Sequence, residues 1–221
     1  MQGDSVSLPL EIADDIAWHY HDLAKSRTVE RPPARGEVCV WLVTSEFRFA
    51  SASNIGSWLS VAERRRARLH PNSSIGRRFG VARATLRLVV SQMFRCRPQE
   101  VRVEDGPDER IVVTDPQGGG GLFVDVAYSG IWIVIAVASA NVGIGLAANS
   151  PGDAAHIGRM RAERGDIVNK CDGAASAAWH GVVLPMPGEL AGVVAVDAPV
   201  SDVQAFGWEK PVEEGARASL R

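Results

Sequence analysis

Cysteine is scarce in this chain. The three residues, Cys39, Cys96 and Cys171, are odd in number and show no CxxC spacing, which excludes a disulfide framework and a cysteine-based zinc site. A dominant sign of charge is also missing. The 24 Lys and Arg residues nearly balance 26 Asp and Glu, for a formal net charge of -2, so no global field draws the chain to nucleic acid or an anionic membrane. The longest apolar run, Ile131 to Ala138, falls far short of the roughly 20 residues a membrane-spanning helix needs. Nor does the start, Met1-Gln2-Gly3-Asp4-Ser5, lead from basic residues into an apolar stretch, as a secretory signal does. A reduced, cytoplasmic setting without nucleic-acid or membrane partners is the expectation.

What is present is ordinary globular material. With 46% hydrophobic and 23% charged residues, the 221-residue chain can bury one large core or two small ones. Positive charge is concentrated locally between Arg64 and Arg87, which suggests a phosphate-bearing ligand or an acidic protein partner.

Residues 1–35 read as an N-terminal extension with a short helix over Glu11 to Ala24; Arg31-Pro32-Pro33 then disfavours helix. Val38 to Val43 is a continuous apolar, β-branched run, as in a buried strand. Ser60 followed three residues later by Glu63 forms a capping-box pattern opening an arginine-rich helix, and His70-Pro71-Asn72-Ser73 ends it. From Ile75 the apolar positions Phe79, Ala82, Leu86, Val89, Val90 and Met93 recur at helical spacing, so a core-facing helix runs to near Arg95. At 100° per residue Arg78 and Arg83 flank that stripe on opposite sides.

Strands are predicted at Val101 to Val103, Ile111 to Thr114, Leu122 to Ala127, Trp132 to Ala138 and Val142 to Leu146, with turn material between them. The Gly118 to Gly121 tract precedes a strand and lacks a following Lys-Ser/Thr, so it is a hairpin connection and not a phosphate loop. Residues 153–178 are weakly helical. Val182 to Leu184 and Leu190 to Val196 read as a hairpin, and Lys210 to Arg221 as a polar tail. The expected organisation is an extension (1–35), a first half (36–150), a reduced second half (151–210) and a tail (211–221), with α+β class.

Arg77-Arg78-Phe79-Gly80, then Val124-Asp125-Val126-Ala127-Tyr128-Ser129-Gly130, then Val142-Gly143-Ile144-Gly145-Leu146-Ala147 resemble in order and spacing the Sfp-type 4'-phosphopantetheinyl transferases. The resemblance implies a pseudodimer of two α/β halves, with coenzyme A and magnesium bound between them and a carrier protein as the acceptor. By the same resemblance Arg78, Arg110, Tyr128 and Ser129 fall at coenzyme A-binding positions. The departures are as informative. Ala127-Tyr128-Ser129 replaces Ser-His-Ser, and a phenol lacks the charge of a protonated imidazole. Gly145 and Ala147 replace the aspartate and glutamate that hold magnesium, an ion that wants oxygen ligands. Asp108-Glu109-Arg110 replaces Gly-Lys-Pro and sets two acids near a bound pyrophosphate. The second-half Trp-x-x-Lys-Glu-Ala motif is missing.

These departures predict a transferase-like protein without its metal, a pseudoenzyme or repurposed paralogue that binds a partner or small molecule in the groove between halves. Magnesium is not expected, and coenzyme A stays open as a ligand. A protein partner or a second copy of the chain would use an exposed second-half sheet, and a carrier protein stays open as a partner. A repurposed biosynthetic enzyme would take a small apolar substrate in the cleft, with Asp125, Tyr128 or His180 as acid-base groups. A genuine transferase would need displaced metal ligands from Asp125, Asp153, Glu163 or Asp166, each otherwise a solvated acid. Arg83 and Arg87 are expected to brace the fold through carboxylates or carbonyls. His19-Tyr20-His21 belongs to the polar N-terminal helix.

Overall fold

The computed structural model describes residues 10–23, 31–47, 51–106, 111–163 and 178–210. Its first elements correct the helix expected over Glu11 to Ala24. Two strands stand there, β1 (Leu10–Ile12) and β2 (Ala17–His21). Alternation explains the second: Trp18 and Tyr20 turn one face to a buried cluster, while His19 lies 3.5 Å from Asp202 and His21 Nε2 lies 2.8 Å from Gln204 Oε1. A period of two puts both histidines on one strand face.

β3 (Glu37–Thr44) follows, then three helices, α1 (Ala52–Trp58), α2 (Val61–Leu69) and α3 (Ser73–Met93). The capping box forms as expected: the Glu63 amide donates to Ser60 Oγ at 3.1 Å, and the Ser60 amide donates to Glu63 Oε2 at 2.7 Å. Asn72 caps α3 through its side-chain oxygen, satisfying amides that have no intrahelical partner. The remaining elements are β4 (Arg102–Asp105), β5 (Ile111–Thr114), β6 (Gly121–Ser129), β7 (Trp132–Ala138), β8 (Val142–Ala148), α4 (Pro151–Glu163), β9 (Trp179–Leu184), β10 (Leu190–Val196) and β11 (Asp202–Phe206). Of the stretch 153–178, the described part is helical to Glu163; residues 164–177 and the tail from 211 lie outside the described residues. No helix among the described residues is long and apolar enough to cross a membrane.

The strands form a seven-stranded sheet ordered β2-β11-β3-β7-β6-β5-β4 and a four-stranded sheet ordered β1-β9-β10-β8. The chain ends interlock with both: β1 pairs in parallel with β9, and β2 in parallel with β11, which also pairs in parallel with β3. The large sheet is buried on both faces. Cys39, Trp41 and Val43 of β3 and Ile133, Ile135 and Val137 of β7 join the core under the helices. Their neighbours Val38, Val40 and Leu42, and Val134, Ala136 and Ala138, join a second core shared with β8, β9 and β10. Two-sided burial is the physical cause of the continuous apolar runs in these strands. The result is an α+β architecture of four layers: helices α1 to α3, large sheet, small sheet, α4.

The outer layer depends on small residues. A Cβ at Gly145 would overlap the Ala154 carbonyl, and one at Gly143 the Gly158 carbonyl; a Cβ at Gly158 would come 3.1 Å from the Gly145 amide. Helix α4 therefore lies almost against the backbone of β8. This covers β10 of the second-half sheet that the sequence leaves open to a partner: Val193, Val194, Ala195 and Val196 are all buried, because the large sheet covers one face and α4 the other, while Val183 of β9 and Ile12 of β1 stay exposed. Replacing Gly145 with alanine should cost about 1–3 kcal/mol in urea unfolding through overpacking. Gly152, with open space around its α-carbon, should accept alanine with equal or greater stability.

Candidate functional site

The groove begins where a strand pair stops. Strand β5 pairs with β6 only between Gly121 and Val124, so among the described residues Asp125 to Ser129 pair with β7 alone. A cavity of about 480 Å³ opens across this free edge. Its walls come from opposite layers: Arg66, Phe79 and Arg83 from the helical side, Ile144, Leu146, Ile157 and Arg161 from β8 and α4. Asp125 and Tyr128 belong to the strand between them, and alternation sends them to opposite faces of the sheet.

Asp125 is buried, with 6% exposure, which corrects its expected role as a solvated acid. Its Oδ1 accepts from the Val126 amide at 2.8 Å and from Arg161 Nη2; its Oδ2 accepts from the Ile144 amide and Arg161 Nε, both at 2.7 Å. A carboxylate has about four lone-pair sites, and these donors fill them. Ile144 lies on an edge strand whose one partner is β10. Its amide would be an orphan if Asp125 did not accept from it. Arg161 additionally donates to the Val126 carbonyl at 3.1 Å.

The opposite wall carries two guanidiniums and one carboxylate. Arg83 is 5% exposed; its Nη2 donates to Asp105 Oδ1, while its buried Nη1 has no hydrogen-bond partner among the described residues. Arg66 lies 3.8 Å from Asp105 Oδ2. Both stack on Phe79, with guanidinium carbons 4.7 Å (Arg66) and 5.3 Å (Arg83) from the ring centre, a favourable cation-π placement. Burial pushes the Tyr128 phenol up to about 12, against the lowering effect of Arg83 and Arg66. The side chain nevertheless keeps 40% exposure; with either degree of solvation it is neutral near pH 7 and can donate one hydrogen bond.

Of the residues singled out from sequence, the structure brings Arg83, Asp125 and Tyr128 to this groove. Arg78 is elsewhere: its Nη1 donates to the Gly130 carbonyl at 2.7 Å, tying α3 to the β6–β7 turn. Ser129 and His180 do not line the groove, and Arg110 lies outside the described residues. Arg87 braces as expected, donating to Glu63 Oε2 at 2.9 Å and to the Val101 carbonyl at 2.8 Å. Gly145 faces α4, and alternation puts Ala147 on that same face, so neither position looks into the groove. Its two carboxylates, Asp105 and Asp125, are both held by guanidiniums, and no cluster of three His, Cys, Asp or Glu able to hold a metal occurs among the described residues. Arg66 and Arg161 were not legible as site residues. The first is one of several arginines on α2, and the second sits on a helix without a clear apolar stripe.

Asp125→Asn leaves the Arg161 guanidinium without its counter-charge. Removing one partner of a buried pair costs about 3–5 kcal/mol, and the 28% exposure of Arg161 puts the expected loss, read by urea unfolding, at the low end. Alkaline pH gives a second check. Because burial raises the Tyr128 phenol, its ionisation costs the folded state stability as pH rises from its ordinary value of 10.0 toward about 12. Tyr128→Phe should therefore move alkaline unfolding, followed by circular dichroism, to higher pH. No protein-family model matches the chain, and no curated protein matches it.

Proposed function

We propose that this protein is a binding protein on a phosphopantetheinyl-transferase-like pseudodimeric scaffold, and that its groove takes a small anionic molecule without metal-assisted transfer. The observation that carries this reading is the full occupancy of Asp125. Its four acceptor sites are taken by two amides and a bidentate Arg161, so a divalent cation could gain this carboxylate only by displacing the guanidinium and exposing the β8 edge.

Among the described residues, the groove carboxylates do not fit magnesium or a diphosphate. Octahedral oxygen coordination needs available carboxylates, and Asp105 is engaged by Arg83 and Arg66 as Asp125 is by Arg161. Phosphoryl transfer depends above all on neutralising charge that develops at the reacting phosphates. Three guanidiniums that already answer two carboxylates leave little for that task. The groove still has the size and mixed lining of a small-molecule site, with apolar Ile111, Ile144, Leu146 and Ile157 beside its charged rim.

Incubating the purified protein with coenzyme A, magnesium and an unmodified carrier protein should add no phosphopantetheine mass to the carrier, under conditions in which an active transferase loads it completely. Stoichiometric loading read by mass spectrometry overturns the reading.

A further inference from the structure

Resting on the groove reading above, we propose that the ligand is an amphipathic monoanion: a carboxylic acid with an apolar body of moderate length, bound by its head against Arg83 and by its chain against β8 and α4. Three features of the groove point to this class.

The first is an incomplete arginine. Arg83 is almost wholly buried, one nitrogen is paired with Asp105, and Nη1 has no partner among the described residues. A buried donor without a hydrogen bond costs free energy comparable to a lost bond, so an acceptor supplied by a ligand would be strongly favoured. Guanidinium presents its donors in a planar fork that matches carboxylate geometry. Water does not reach Nη1 in the free protein, so entry of the head includes a small side-chain adjustment. Arg66, 60% exposed, and Tyr128, 40% exposed, are the wall members able to make it. The Tyr128 hydroxyl, neutral and a donor, suits the second carboxylate oxygen.

The second is charge. Among the described residues Arg66, Arg83 and Arg161 face Asp105 and Asp125, leaving one uncompensated positive charge. A single negative charge balances it. A dianion such as a phosphate monoester would leave net negative charge beside two carboxylates in a partly enclosed site, where Coulomb repulsion is only weakly screened.

The third is the far wall. Ile144, Leu146 and Ile157 line the groove, and Ile157 remains 38% exposed, so apolar surface is available next to the charged rim. Burial of ligand methylenes there favours a ligand with an apolar body.

The test is isothermal titration of the full chain at pH 8 with octanoate, octyl phosphate and octanol, together with coenzyme A without metal. Octanoate should bind saturably at one site, at least tenfold more tightly than octyl phosphate or octanol. Arg66→Gln, an exposed substitution that should leave the fold intact, should weaken octanoate several-fold, whereas Arg77→Gln, outside the groove, should not. Equal or tighter binding of octyl phosphate or coenzyme A, lost in Arg66→Gln, overturns the ligand class and leaves the groove reading standing. Octanol binding as tightly as octanoate also overturns the ligand class, since the head group then contributes nothing. Failure of all four ligands to bind saturably overturns both readings, as does octanoate binding that Arg66→Gln and Arg77→Gln reduce equally.

Discussion

The carboxylate of Asp125 ties three layers of this protein together. It sits on β6 of the large sheet, caps the edge amide of Ile144 on the small sheet, and receives both arms of Arg161 from α4. Burying a carboxylate is unfavourable unless it is paired and hydrogen-bonded, and here every acceptor site is answered. An apolar residue at 125 would orphan the buried Ile144 amide on a sheet edge and strand a guanidinium against the groove wall. The interaction thus fixes the register between the sheets and the electrostatics of the groove together.

That pair exists only because α4 comes so close. Gly143, Gly145 and Gly158 let helix and strand backbones approach to a distance that no Cβ at 143 or 145 would permit, and Arg161 lies one turn beyond Gly158 on the same helix. Ser150 prepares the approach: its Oγ accepts from the Asp153 amide at 3.3 Å, and Pro151 fills the first helical position, where a missing amide is harmless. Small residues set the packing distance, the distance sets the reach of one arginine, and the arginine decides which charges remain for a ligand.

Much of the helical layer was legible because its determinants are local. The Ser60–Glu63 box and the apolar stripe of α3 act within a few residues, and both form as their spacing predicts. Residues 10–21 were misread because what holds them is remote. Their strands pair with β9 and β11 from the other end of the chain, and the tetrad Trp18-His19-Tyr20-His21 carries no local signal stronger than that pairing. Asp125 could be placed on a strand but not in an ion pair, since an acid in an apolar strand has the same sequence whether it meets water or an arginine. Arg161 was hidden for the complementary reason: α4 packs through Ala154, Gly158 and Ala162, residues too small to write an apolar stripe.

Position 145 connects these points. Its α-carbon faces α4. A carboxylate there would collide with the Ala154 backbone and push the helix outward, and a helix pushed outward could no longer bring Arg161 to Asp125. Without that guanidinium Asp125 would be a buried acid with two amide donors and no counter-charge, a group poised to seek a cation. The close-packed glycine and the arginine clamp are therefore two halves of one arrangement. A groove built this way holds a covalently tethered monovalent charge, which can neutralise a single carboxylate but has no open coordination positions to share with a substrate.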